Sequence, residues 1–172
     1  MSMTLQTQRL ILREPNASDW PAFRDFYRSD RSSEVGGPKT DGHAWRHFAS
    51  ELGHWQIHGF GMWSVTRRGS DACVGMIGPW CPVDWPENEI GWLILDPAVE
   101  GTGIATEAAR AAISHAFAAL GWDTAVSYIG LTNTRSARLA EKLGARLDAQ
   151  AERPAAYPEA RVYRHPRPKA DT

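Results

Sequence analysis

The stretch Asp96-Pro97-Ala98-Val99-Glu100-Gly101-Thr102-Gly103-Ile104-Ala105-Thr106-Glu107-Ala108 constrains this chain more than any other, because it joins an apolar strand to a long helix through a glycine turn. Gly101 and Gly103 put no Cβ in the way of a tight bend. Consecutive N–H groups at the helix start can therefore converge on an anion that the helix dipole also favours. Such a junction binds phosphate, so the expected ligand is a phosphorylated cofactor. A P-loop is excluded, since Ile104-Ala105 stand where Lys and then Ser or Thr would have to follow the last glycine. The dinucleotide fingerprint fits Gly101 and Gly103 but meets Thr106 where a third small residue belongs, and Asp123 opens its strand instead of closing it.

With 172 residues the chain reads as one domain, 1–172, large enough to bury a core without disulfides or metals. Nineteen Lys and Arg against twenty Asp and Glu leave a formal net charge of −1. No global field then draws the chain to nucleic acid or to an anionic membrane, and recognition must be local. Met1 to Gln6 carries neither a basic segment nor an apolar run, and no stretch approaches the ~18 apolar residues of a membrane span. A cytoplasmic protein is the default expectation. Cys73 and Cys81 read as free thiols. His43, His47, His54 and His58 fall on one helix, but no carboxylate or cysteine completes a ligand set, so they read as a polar face and no metal is expected.

Thr7 to Arg13 reads as a first strand ending at Glu14-Pro15. A helix follows, capped by Asn16 or Ser18 and carrying Trp20, Phe23, Phe26 and Tyr27. Gly36-Gly37-Pro38 breaks the chain before a second helix, capped near Asp41, with Trp45, Phe48, Leu52 and Trp55. Gly61 to Thr66 and Ala72 to Gly78 read as a hairpin. Pro79 to Pro86 has three prolines and reads as a stiff loop, with Trp80 and Trp85 either lining a pocket or packed beneath it. Ile104 to Ala119 is helical, its alanines facing the core while Glu107, Arg110 and Ser114 face water; Gly121 ends it. Trp122 to Gly130 is the next strand, Asn133 to Leu143 a short helix stopped by Gly144, and Pro166 to Thr172 a loose tail. Strand, turn, helix and strand make a βαβ-like unit in a mixed sheet.

The segment Glu100-Gly101-Thr102-Gly103-Ile104-Ala105 resembles the coenzyme A loop, Gln/Arg-x-x-Gly-x-Gly/Ala, of the GNAT superfamily of N-acetyltransferases. The strand Glu89 to Pro97 before it and the segment Asn133 to Ala145 after it occur in that family's order. The likeness runs from Thr7 to His165 and is greatest to the branch with the ribosomal-protein N-terminal acetyltransferases. It implies an α/β (α+β) acyl-CoA N-acyltransferase fold, a central, mostly antiparallel mixed sheet flanked by helices. It also implies acetyl-CoA as co-substrate, bound by Glu100, Gly101, Thr102, Gly103, Ile104, Ala105 and Thr106, by the backbone of Leu93, Ile94 and Leu95, and by Asn133 and Ser136. The acceptor would be a primary amine, on a small molecule or a protein N-terminus, and the protein a monomer or homodimer.

Acetylation of an amine by a thioester needs an uncharged amine, a polarised carbonyl and a proton for the leaving thiolate. Some GNAT enzymes carry a general-base glutamate at the position of Glu89, and Gly91 would leave it room; Glu87 competes for the role. Asn133 reads as a helix cap with Ser136 at the third helical position, and in the family this helix start approaches the coenzyme. The chain departs from the family twice. Ala140 stands where many members have a tyrosine acid, which leaves Ser136, Tyr128 or solvent to protonate the thiolate. Glu100 replaces Gln or Arg, so its carboxylate either points away from the pyrophosphate or lowers coenzyme affinity. These departures keep a second class open, a non-catalytic acyl-CoA-binding module.

Overall fold

A computed structural model describes residues 3–169. The chain lays down β1 (Thr4–Gln6), β2 (Leu10–Arg13), α1 (Trp20–Arg28), α2 (Asp41–His58), β3 (Trp63–Arg67), β4 (Cys73–Trp80) and β5 (Glu89–Ile94). It continues with α3 (Ile104–Ala118), β6 (Val126–Ile129), α4 (Thr134–Lys142), β7 (Arg146–Leu147) and β8 (Arg161–Arg164). One eight-stranded sheet has the order β1-β2-β3-β4-β5-β6-β8-β7. Every neighbouring pair is antiparallel except β5 with β6. The fold is the mixed, mostly antiparallel α/β architecture expected. Among the described residues no helix is long and apolar enough to cross a membrane.

Alternation along the strands fills both faces. Leu10, Leu12, Trp63, Val65 and Ile77 meet α3 on one side through Ala108, Ala109 and Ala112. These alanines are fully buried and carry no bulk to hold the helix off the sheet. On the other side Met76, Leu93 and Leu95 meet Phe23, Phe26, Tyr27 and Phe48 of α1 and α2.

The parallel joint is brief. β5 and β6 register only at Glu89 opposite Val126, supported by the Ser127 hydroxyl donating to the Ile90 carbonyl at 2.6 Å. Farther along β5, no strand pairs with that edge among the described residues, and this is where the site opens.

Several elements differ from the sequence reading. The strand read from Thr7 to Arg13 begins only at Leu10, because the Thr7 amide turns back to the Leu10 carbonyl at 3.0 Å, and Thr4–Gln6 forms a further strand beside it. Thr7 and Arg9 then bind Glu107, which is therefore not turned to water: Thr7 Oγ1 donates at 2.6 Å and Arg9 Nε at 2.6 Å. β4 continues through Pro79, opposite Ile90. β3 has already ended at Trp63 opposite Ile77, so the proline lies where one flank of the strand is free. β5 stops at Ile94, since the amides of Leu95 and Asp96 both turn to the Val74 carbonyl. The strand read from Trp122 shortens to Val126–Ile129, the Trp122 amide closing the end of α3 on Ala116. Trp45 is 58% exposed and off the core face. His54 is buried, not part of a polar face, and stacks on Trp80. The last three residues of the tail lie outside the described residues.

Candidate active site

The glycine turn takes the geometry its residues permit. Gly101 and Gly103 have φ of 74° and 83°, in the left-handed region open to glycine. Asp96 caps the preceding 3-10 turn, accepting from the Ala98 amide at 2.8 Å. The Thr102 amide is spent on Val99 at 3.3 Å. The amides of Gly101 and of Gly103 to Thr106 have no acceptor within the described residues. Gly101, Gly103, Ala105 and Thr106, though neither Thr102 nor Ile104, line a cavity of ≈ 580 Å³ that α4 lines with Arg135, Arg138 and Lys142. Free amides, a helix N-terminus and three cations suit a polyphosphate.

Glu100 lines this cavity but does not face it as a bare charge. Its carboxylate is held by Arg31 at 2.6 Å and Arg135 at 2.8 Å. Burial alone would raise its carboxyl, but the hydrogen bonds from Arg31 and Arg135 hold it below the ordinary value. The carboxylate does not point away from the cavity, and the two guanidinium groups neutralise it in place. Arg31, which the sequence analysis did not single out, also donates to the carbonyls of Ile94 and Leu95, each at 2.8 Å. With the Leu95 amide on Val74, little of Leu95's main chain is free. Only the exchange of a carboxylate for Gln or Arg at position 100 hinted that a cation would be needed nearby.

A second cavity of ≈ 690 Å³ opens on the other side of the splay and holds Glu89, Tyr128, Asn133 and Ser136. Glu89 accepts from the Trp85 indole N–H at 2.6 Å and, weakly, from the Tyr128 amide at 3.4 Å. Burial nevertheless pushes its carboxyl up to about 7, with Glu51 adding to the rise. Gly91 does not serve Glu89: a Cβ there would meet Met62 Sδ at 3.3 Å. The competing Glu87 is bound by Arg164 at 2.7 and 2.9 Å and lies outside both cavity linings. The Tyr128 hydroxyl has no partner, and burial, then Glu87 and Glu89, pushes it up to about 12.

Asn133 caps α4, its side-chain oxygen accepting the Ser136 amide at 3.1 Å. Ser136 Oγ accepts from the Trp92 indole at 3.0 Å and so keeps its own proton to give. Glu34, Val35, Trp92, Leu93, Asn133 and Ser136 line both cavities and form their common wall. Ala140 is fully buried beside Ile129, Ala137 and Tyr163, far too enclosed to be exchanged for a tyrosine without repacking.

A splayed parallel pair, with a phosphate-ready helix start on one side and an acidic cavity on the other, defines an acyltransferase-like site. The sequence matches the family profile described as an acetyltransferase (GNAT) domain over residues 9–146, and the chain belongs to this family. The structure is similar to that of an acetyltransferase from Agrobacterium tumefaciens, with 40% identity and a TM-score of 0.89 over 95% of this chain and 94% of that one. A GNAT-family acetyltransferase from Bacillus anthracis shares the fold at 23% identity and a TM-score of 0.74, over 95% and 96% of the two chains. So does the RimL ribosomal-protein α-N-acetyltransferase in complex with coenzyme A, at 18% identity and a TM-score of 0.73, over 95% and 97%.

Proposed function

We propose that this chain, as a single domain over residues 1–172, is a cytoplasmic N-acetyltransferase that uses acetyl-CoA to acetylate a primary amine by direct attack. The observation that carries the reading is the pair of cavities of opposite character sharing Glu34, Val35, Trp92, Leu93, Asn133 and Ser136. The basic cavity suits the coenzyme's phosphates, with the free amides of Gly101 and Gly103 to Thr106 as the cradle. The open edge of β5 suits an extended pantetheine arm. Acetyl-CoA, when bound, supplies the thioester carbonyl that the amine attacks.

Glu89 takes the proton that an incoming ammonium must lose; a carboxyl near 7 is matched to that task at neutral pH. Trp85 fixes its orientation. The main-chain N–H of Ile94, turned away from β4, holds the carbonyl oxygen. Ser136, its oxygen already occupied by Trp92, donates its proton toward the departing sulfur, with Tyr128 as the second donor on the acceptor side. The test is an acceptor screen with mass-spectrometric detection of an enzyme-dependent acetylated product, run beside an assay for thiol release. Coenzyme binding without thiol release for every amine would instead support the non-catalytic binding module.

A further inference from the structure

We propose that the acceptor is a small diamine, carrying a second cationic nitrogen besides the amine that is acetylated, and that Glu51 binds this second charge. The inference rests on the acetyltransferase reading above and adds the substrate class. Four glutamates, Glu34, Glu51, Glu89 and Glu159, line the acceptor cavity, and among the described residues no lysine or arginine does. Glu51 sits in the interior of α2 and is only 1% exposed. Its Oε2 has no hydrogen-bond partner, and its Oε1 meets only His47 Nε2, at 3.5 Å. A buried carboxylate with an unpartnered oxygen is costly unless a partner arrives, and the cavity that Glu51 lines is the space that can deliver one.

Glu51 and Glu89 are not equivalent. Glu89 is oriented by Trp85, whereas Glu51 has only His47 beside it and lines the cavity with its Oε2 unpartnered. The lining also carries the aromatic residues Tyr27, Trp80, Trp85 and Tyr157, which suit an alkyl spacer. A substrate carboxylate would meet four glutamates and neither lysine nor arginine in this lining, so the same cavity disfavours amino acids. The enclosed position of Glu51, in contrast to the exposed Glu159, favours a small molecule over a chain terminus.

The test compares kcat/KM for butane-1,4-diamine, butylamine and 4-aminobutanoate. The diamine should exceed butylamine on the order of tenfold or more, with 4-aminobutanoate lower still. Glu51→Gln should bring the ratio of diamine to butylamine close to one, and Glu51→Asp should lower it. Equal rates with diamine and butylamine in the unaltered chain, a ratio unchanged by Glu51→Gln, or a peptide N-terminus preferred over the diamine would each overturn the proposal. The comparison within the unaltered chain stands even if a variant does not fold. If no amine is acetylated, the acetyltransferase reading fails separately. Calorimetry then decides the subsite: heat with the diamine and none with butylamine supports it, and no heat with either overturns it.

Discussion

A carboxyl near 7 makes Glu89 the residue whose chemistry is most readily measured. Below that pH it holds a proton and cannot take another, so activity should fall as the solution is acidified through about 7. Glu89→Gln should lower turnover on the order of 10²–10⁴-fold at neutral pH, change coenzyme affinity little, and abolish that acidic limb. The loss should shrink as rising pH deprotonates the free amine. Near-normal turnover at pH 7 would remove Glu89 as the base. Glu100 permits a second test, because Arg31 and Arg135 now divide one carboxylate between them. Glu100→Gln returns positive charge to the phosphate cavity, so coenzyme A should bind more tightly or with unaltered affinity by calorimetry. A clear loss would mean that the carboxylate is needed to aim the two guanidinium groups.

At the scale of elements, function depends on how α3 begins. Its first amides are free because Gly101 and Gly103 reverse the chain in the left-handed region just before the helix, and no side chain caps the end. A Cβ on Gly103 would meet Arg9 Nη2 at 3.4 Å and be strained at φ 83°. Gly103→Val should therefore weaken coenzyme A binding by calorimetry while the far-UV spectrum stays native; unchanged affinity would disprove the cradle. The element was legible because glycines before a helical pattern have few other uses. What sequence could not give was the fate of Thr102's amide, or that Arg31 would reach across to cap the carbonyls of Ile94 and Leu95. Those contacts join residues distant in the chain.

For the molecule as a whole, buried His165 and half-buried Glu89 oppose each other in the pH dependence of stability. His165 is 4% exposed, its Nε2 lies 2.8 Å from Ser127 Oγ, and burial pushes it down from 6.5 to about 4. The unfolded chain therefore takes up that proton first, and stability is lost as pH falls from 6.5 toward 4. Glu89 is raised from 4.5 to about 7, so its contribution is present below 4.5 and lost as pH rises toward 7. Between 4.5 and 6.5 the two slopes partly cancel. Glu89→Gln removes one of them, and should raise stability at pH 8 by on the order of 1–3 kcal/mol while sharpening the loss toward pH 5. Urea unfolding at both pH values checks this; an unchanged pH profile would contradict the burial of Glu89.

The sequence by itself determined the strand, glycine turn and helix, the cap at Asn133 and the mixed class of the sheet, because each is written in local propensity and spacing. It also singled out Glu89. It misjudged where Pro79 and Trp122 stand, since whether a proline is tolerated or a strand continues depends on which neighbour has already ended. Only the tertiary structure decided that Glu87 is tied to Arg164 while Glu89 keeps Trp85, that Glu100 lies between two arginines, and that Glu51 is left open. Protonation and charge pairing are set by burial and by partners from distant segments, and no local pattern encodes them.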